Sequence, residues 1–415
     1  MNKLPRKLHF VGIGGAGMAP LALLCAVSGR EVSGSDNGKI NAELGQNGVR
    51  VYSGHAAENF DCGTEMLVYS SAVPADNPER LEAARHGVPQ LCRGAALAAF
   101  VLDYRRSVAV SGAHGKSSIT ALTAHILNVC GFSPGFMIGA QFNGRKNYSP
   151  GNGDIFVTEA DESDGTHTLL APYCAVIPNY DPDHAWSVGG REQLEKNFTL
   201  FALKSQHVIC YRTPETERFC AGHPSVQMLD LPGEDFSYAG FYGYEALNAF
   251  IAVRCCMFLG CSKEDAEKAA ESFPGIARRM TCRCCRDEFT VMEDYAHHPT
   301  EVRNSLALLR RKYPQHHLRV LFQPHRYARL EMFFEDFVVE LANCDSLFIA
   351  PVFAAWSEHG SVNSEMLASR CNAVCVSNDW QKTAEQISLP PADGRRLLLA
   401  VLGAGDVNAV FEYLG

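Results

Sequence analysis

Two copies of one pattern constrain this chain more than anything else in it: an apolar strand, a glycine loop and an apolar helix, in that order. In the first copy the run Lys7–Ile13 leads into Gly12-Ile-Gly14-Gly15-Ala16-Gly17, and Met18–Val27 follows with the character of a helix. Glu31–Gly34 then reads as a second strand, which makes a βαβ opening. In the second copy Ser107–Ser111 runs into Ser111-Gly112-Ala113-His114-Gly115-Lys116-Ser117-Ser118, and a helix is predicted from Ser117 to Cys130. A chain that restarts strand, loop and helix in this way begins a new α/β unit at the restart.

The first unit also contains predicted strands at Arg50–Tyr52, Met66–Ser70 and near Leu91, with helices over Pro78–His86 and Ala95–Leu102; it ends near Asp103. The middle unit continues through strands at Asp154–Thr158, Cys174–Pro178 and Val208–Tyr211, and helices at Arg191–Leu203, Ala246–Phe258 and Lys263–Ser272. Between them Thr213–Gly240 shows no clear period. From Phe289 the chain alternates again: strand, the Glu301–Tyr313 helix, strand, the Leu330–Ala342 helix, and three further apolar strands ending in Leu397–Leu402. The expected fold is α/β in three domains, at 1–103, 104–285 and 286–415. These would be a Rossmann-like N-terminal domain, a P-loop central domain of ATPase type, and a Rossmann-like C-terminal domain with a mostly parallel sheet.

Composition narrows the partners. A formal charge of -9 repels polyanions and argues against a sequence-independent nucleic-acid binder. The 16 cysteines are scattered, and MNKLPRKLHFVGIGG is not a secretory signal, so the thiols are read as reduced and the location as cytoplasmic. The cluster Cys282, Cys284 and Cys285 lacks zinc-like spacing. Apolar stretches such as Ala95–Leu102 fall far short of the roughly 20 residues of a membrane span, so no membrane insertion is expected.

Each glycine loop suits a phosphate-bearing ligand. In the first, glycines let the backbone approach a pyrophosphate, the helix N-terminus offers N–H donors, and Asp36 can take ribose hydroxyls. Any dinucleotide-like ligand fits that description, a nicotinamide cofactor included. In the second, backbone donors and Lys116 can grip β and γ phosphates while Ser117 ligates Mg²⁺. The general phosphate-loop spacing is not met, because Val110 stands where its first glycine belongs. The acid run Thr158–Asp164 ends a strand, and its Glu159 is the first candidate to hold a hard cation.

Taken together, the segments resemble the Mur ligases over nearly the whole chain. The carriers are GIGGAGM (Gly12–Met18), SGSD (Ser33–Asp36), YSSAV (Tyr69–Val73), DNPE (Asp76–Glu79), SGAHGKSS (Ser111–Ser118), EADESD (Glu159–Asp164), DYAHHPTEV (Asp294–Val302), FQPHRYAR (Phe322–Arg329) and GAGDV (Gly403–Val407). The resemblance implies an ATP-dependent ligase that joins L-alanine to the muramyl carboxylate of UDP-N-acetylmuramate through an acyl phosphate. It further implies a UDP-sugar site at Gly14, Gly15, Ala16, Gly17, Met18, Asp36, His55, Ser71 and Ala72. ATP would lie on Gly112, His114, Gly115, Lys116, Ser117, Ser118, Asn248, Arg279 and Asp294, with Mg²⁺ on Ser117, Glu159 and His184. Tyr295, Arg326 and Arg329 would meet the amino acid, and Lys116, His297, His325 and Arg326 would carry the chemistry, one of the two histidines taking the ammonium proton. Gly275-Ile-Ala-Arg278-Arg279 matches a family segment near a hinge.

Three places depart from the family pattern. The adenine-side HNxxN motif reads Tyr244-Glu245-Ala246-Leu247-Asn248, keeping only its second asparagine. Thr213–Gly240 is shorter than its counterpart, so part of a small antiparallel sheet is expected to be missing. Ala354-Ala355-Trp356-Ser357-Glu358 puts Trp356 where it would alter the amino-acid pocket. Beside the leading reading stand a recycling ligase that adds a tripeptide to the same carboxylate, a non-catalytic UDP-sugar-binding homologue, and a nicotinamide oxidoreductase that would leave Lys116, Glu159 and Arg326 unused.

Overall fold

The computed structural model describes residues 2–142, 146–233, 235–286, 289–355 and 359–414, with the side chain of His184 outside that description. Unbroken apolar runs become inner strands covered on both faces: Leu397–Leu402 and Cys174–Ile177 are buried at every position. Such strands pair in parallel, and parallel neighbours need helical crossovers. The result is three mostly parallel sheets, as the sequence predicts.

The first sheet has five strands in the order Arg50–Ser53, Glu31–Asp36, Lys7–Val11, Met66–Tyr69 and Gln90–Cys92, all parallel. The chain builds outward from Lys7–Val11 in one direction and then in the other, so the first glycine loop leaves the sheet at its switch point. The second sheet has seven strands: Val226–Leu229, His207–Tyr211, Cys174–Ile177, Arg106–Val110, Ile155–Glu159, Gly135–Met137 and Tyr148–Ser149. Arg106–Val110 lies between Ile155–Glu159 and Cys174–Ile177, so the second loop emerges between the ends that carry Glu159 and Asn179. The third sheet has six strands, with Phe289–Asp294, Leu397–Leu402, His317–Phe322 and Ser346–Ile349 adjacent and parallel.

The chain forms two compact units, Met1–Phe241 with Glu245–Pro274, and Tyr242–Tyr244 with Gly275–Gly415. The first unit holds the first two sheets, and they share one hydrophobic core. Helix Arg93–Val101 fills it from the N-terminal side with Ala96, Leu97 and Phe100, and the Phe100 ring meets Phe156 of the second sheet edge-on at 5.4 Å. All 16 cysteines are free thiols, and no helix among the described residues is long and apolar enough to cross a membrane.

Three local features differ from the sequence reading. Thr213–Gly240 is partly regular: Thr213 caps a short helix, Pro214–Phe219, through a reciprocal bond with Thr216, and Val226–Leu229 adds a parallel edge strand. A two-stranded sheet, Ser237–Tyr238 with Phe241–Tyr242, follows. Thr281–Cys285 forms an antiparallel edge strand against Phe289–Asp294, so the third sheet starts ahead of residue 286; its cysteines and arginines alternate too weakly in hydropathy to announce a strand. The predicted Leu330–Ala342 helix is two helices, Tyr327–Met332 and Phe334–Leu341, broken at Phe333, whose ring packs on His298. Trp356, Ser357 and Glu358 lie outside the described residues.

Glycine is required where strands cross closely. A Cβ on Gly34 would stand 2.4 Å from the Phe10 carbonyl oxygen and 2.7 Å from Ile13, whereas one on Gly45, within helix Ala42–Gln46, would meet nothing within 4 Å. Gly34→Ala is therefore expected to destabilise by roughly 2–3 kcal/mol through forced strand separation, and Gly45→Ala to stabilise by about 0.5–1 kcal/mol through helix propensity. Urea unfolding of both variants checks the pair; equal midpoints would contradict the packing argument.

Candidate active site

The first glycine loop is shaped by Asp36. Gly12 takes a φ of +80°, the left-handed region open to glycine, and donates with Ile13 to the Ser35 carbonyl. One Asp36 oxygen accepts from Gly14 N–H at 2.8 Å and the other from Gly38 N–H at 2.7 Å. Gly15 and Ala16 are exposed and Gly14 and Gly17 half-buried, which leaves backbone open to a ligand; Ser71 and Ala72 are exposed after the strand Met66–Tyr69. Met18 differs: its side chain is in the core and its N–H is bonded to Gly15, so it offers a ligand no free group.

His55 belongs to a network that sequence reading left unassigned. Glu79, fully buried, accepts from Ser35 Oγ at 2.6 Å and Asn59 Nδ2 at 3.0 Å and lies 2.7 Å from His9 Nε2, while Ser35 Oγ is 2.8 Å from His55 Nδ1. Burial pushes the Glu79 carboxyl up, but the bonds from His9, Ser35 and Asn59 and the His9 charge outweigh it and hold the group at about 2. The only sequence signal was the DNPE block: Asn77 caps the helix that Pro78 begins, and this aims Glu79 inward.

The second loop is clamped from two sides. Asn179 imitates a strand, accepting from His114 N–H and donating to His114 O, both at 2.9 Å. Gly112 must be glycine, since a Cβ would lie 2.9 Å from the Asn179 carbonyl oxygen, and Gly115 sits at a φ of +82°. The His114 ring is buried, 3.7 Å from Asp181. Lys116 donates to Gly112 O at 2.8 Å and to Glu162 at 2.9 Å. Burial lowers its pKa, but Glu162, Asp161 and Glu159 more than reverse this, so it stays a cation. Ser117 Oγ donates to Glu159 at 3.0 Å, and Gly139 N–H donates to the other Glu159 oxygen at 2.5 Å. Burial raises the Glu159 pKa. A hydroxyl and a desolvated carboxylate at this distance are hard oxygen donors, and a divalent cation would offset the burial of that charge, so the pair fits Mg²⁺. Ser118 is half-buried in the first turn of helix Lys116–Val129, and Asn248 is buried in helix Gly243–Phe258.

Within the first unit Arg93 lies between the two loops. It is paired with Asp164 of the acid run, and its side chain borders Gly17. Neither Arg93 nor Glu162 was picked out as a site residue from sequence.

In the second unit, four parallel strands end together and present Asp294–His297, Gln323–Arg326, Ala350–Phe353 and Gly403–Asp406. Asp294 accepts from Met280 N–H and Ala296 N–H, both at 2.8 Å, and burial raises it to about 6 despite Arg279. Arg279 lies 3.5 Å from Glu301 and over the Tyr295 ring, while Arg278 is bound to Glu293 and to the Gly403 and Gly405 carbonyls. His297 Nδ1 faces the Tyr295 carbonyl at 2.9 Å and Glu301 at 3.2 Å, two acceptors that keep its proton there, and burial lowers the ring to about 4. His325 stacks on Phe353, lies 5.5 Å from the His297 ring and has Nδ1 3.3 Å from Arg329. Arg326 adopts a φ of +68°, a strained conformation for a side-chain-bearing residue, held by its N–H bond to Phe353 O at 2.8 Å. Gln323, which sequence reading passed over, braces this end through Asp406 and Val407.

The Glu79 network generates a pH prediction. Because the folded group titrates near 2 and the unfolded near 4.5, the unfolded chain binds more protons between them; the stabilisation is full above pH 4.5 and is lost as pH falls towards 2. Glu79→Gln is expected to unfold more easily at pH 7 and to show a flatter dependence of its urea midpoint across that window. Parallel curves for variant and wild type would contradict it.

Comparison with known proteins gives the same outline. Residues 7–105 match the model described as "Mur ligase family, catalytic domain", and residues 278–405 the one described as "Mur ligase, glutamate ligase domain". UDP-N-acetylmuramate–L-alanine ligase of Aquifex aeolicus is 33% identical over 440 residues, 97% of this chain and 96% of that one. Among solved structures, the UDP-N-acetylmuramate–alanine ligase of Thermotoga maritima superposes with a TM-score of 0.79 at 24% identity, covering 98% of each chain. A murein peptide ligase of Psychrobacter arcticus gives 0.66 at 19% identity, covering 99% of this chain and 98% of that one. The near-full-length identity, the two family models and the shared fold establish that this chain belongs to the Mur ligase family.

Proposed function

We propose that the chain joins L-alanine to the muramyl carboxylate of UDP-N-acetylmuramate, consuming ATP and releasing ADP and phosphate, as a step in making peptidoglycan precursors. The observation that carries the reading is the Lys116, Ser117 and Glu159 cluster on the second loop, in a chain aligned from end to end with ligases of that name. A carboxylate resists attack by an amine. Transfer of the γ-phosphoryl from ATP to the muramyl carboxylate makes an acyl phosphate; the amine of alanine then attacks its carbonyl carbon, and phosphate leaves.

The roles follow from residue chemistry. Gly14–Gly17, Asp36, His55, Ser71 and Ala72 receive the UDP-sugar, with Met18 supporting from the core. Gly112, His114, Gly115, Ser118, Asn248, Arg279 and Asp294 serve ATP, and Lys116 neutralises the phosphoryl group in flight, where positioning and electrostatics supply most of the catalysis. Ser117 and Glu159, with His184, would hold Mg²⁺, which supplies charge neutralisation at the β and γ oxygens. Tyr295, Arg326 and Arg329 receive the amino acid, its carboxylate suiting an arginine fork. One of the two histidines, His297 or His325, accepts the ammonium proton, and burial, which lowers the His297 ring to about 4, makes that ring a weak base. We assign residues 1–103, 104–285 and 286–415 to UDP-sugar, ATP and amino acid respectively, and place the enzyme in the cytoplasm.

The test is phosphate release in magnesium with UDP-N-acetylmuramate and, in turn, L-alanine, L-serine, glycine or the murein tripeptide. Release is expected only with ATP, sugar nucleotide and L-alanine together; preference for the tripeptide would select the recycling reading, and release from ATP alone would overturn the ligase assignment. Lys116→Ala and Glu159→Ala are each expected to lower kcat/KM by about a thousandfold. Near-wild-type rates in either would remove that residue from the site.

A further inference from the structure

One short acidic segment touches Lys116 of the second glycine loop and Arg93, which borders the first. Following the strand Ile155–Glu159, Glu162 holds Lys116 at 2.9 Å, and two residues on, Asp164 pairs with Arg93. Arg93 opens helix Arg93–Val101 and also donates from Nη2 to Thr166 Oγ1 at 3.3 Å. The close seat is permitted by Gly94, where a Cβ would lie 2.5 Å from that same Thr166 oxygen.

The other side of Arg93 faces the first loop. Its Nε and Nη1 lie 3.3 Å, and its Cδ 3.0 Å, from the point a Gly17 Cβ would occupy. Gly17 is the N-cap of helix Met18–Val27, whose first turn contains no acidic residue. A guanidinium here stands at the positive end of a helix dipole, which is unfavourable until an anion lies between them. Among the described residues its ion-pair partner is Asp164, and both side chains are only partly buried, at 21% and 35% exposure, so the guanidinium can turn from one partner to another.

We propose that Arg93 is a ligand of the diphosphate of the sugar nucleotide, stored on Asp164 when that site is empty, and that its transfer links filling of the first loop to the acidic segment that holds Lys116. The proposal rests on the UDP-sugar reading above. Two consequences have opposite sign. Asp164 competes with the diphosphate for Arg93, so neutralising Asp164 strengthens sugar-nucleotide binding, whereas removing the guanidinium weakens it. Linkage is reciprocal: if the sugar nucleotide alters affinity at the second loop, ATP alters affinity at the first by the same factor.

The experiment is calorimetric titration of the full chain, in magnesium, with UDP-N-acetylmuramate and with a non-hydrolysable ATP analogue, each alone and in the presence of the other. Wild type, Arg93→Gln and Asp164→Asn are compared, with thermal unfolding as a control for folding. Arg93→Gln is expected to raise the sugar-nucleotide Kd about tenfold, the size of a lost charge-assisted contact, and Asp164→Asn to lower it severalfold. Without sugar nucleotide, the ATP-analogue Kd of Arg93→Gln should approach the value that wild type shows with sugar nucleotide bound, because the pair with Asp164 is already lost. The ratio of analogue Kd values with and without sugar nucleotide should differ from one in wild type and move towards one in both variants. Unchanged sugar-nucleotide binding by Arg93→Gln, or weaker binding by Asp164→Asn, overturns Arg93 as the ligand, and a wild-type ratio of one overturns the link. Because merely structural damage weakens binding in both variants, the opposite signs separate the proposal from misfolding. A wild type that binds no sugar nucleotide would overturn the functional reading itself, whereas tight wild-type binding with an unaffected Arg93→Gln overturns this inference alone.

Discussion

Covering both faces of a parallel sheet leaves its carboxyl edge as the place where backbone groups and polar side chains can meet a ligand. That constraint organises the whole site. In each sheet the loops that carry chemistry leave inner strands that are almost wholly buried: Lys7–Val11, Arg106–Val110, Phe289–Asp294 and Leu397–Leu402 hold them against packed neighbours. Gly34, Gly112 and Gly94 serve the same end, since each allows an approach that a methyl group would block.

Placing charge at such an edge is expensive unless it is partnered, and the structure shows three solutions. Glu79 is surrounded by donors and stays ionised far into acid. Lys116 keeps its proton because three carboxylates face it. Glu159 and Asp294 are less well compensated, and their raised pKa values mark positions where a bound cation or donor would be favourable. Groups of the first two kinds have their charge answered within the protein, whereas in the third kind the cost of burial is not fully offset.

Much of this was readable in the chain. The two strand–loop–helix starts, the helix predicted at Glu301–Tyr313 and found at Pro299–Lys312, and the apolar strand Leu397–Leu402 follow from local patterning that tertiary contacts reinforce. The elements missed had weak local signals. Thr281–Cys285 is a strand because Phe289–Asp294 offers it an edge, and Phe333 breaks a helix where its ring finds His298. The site residues missed fall under the same rule: Asn179 matters because it copies a strand's bonds to His114, and Arg93 because its helix lies against Thr166.

By itself the sequence determined the main strands, glycine loops and helices, and through its ordered motif blocks the family and the kinds of residue at each loop. Periodicity and glycine placement are local properties, and a motif block records side chains close together in the chain. The tertiary structure alone decided that Glu79 links His9, Ser35 and Asn59, that Met18 faces the core rather than a ligand, and that His297 is held as a weak base. Those outcomes depend on burial and on partners from other strands, and neither is set until the sheets have packed.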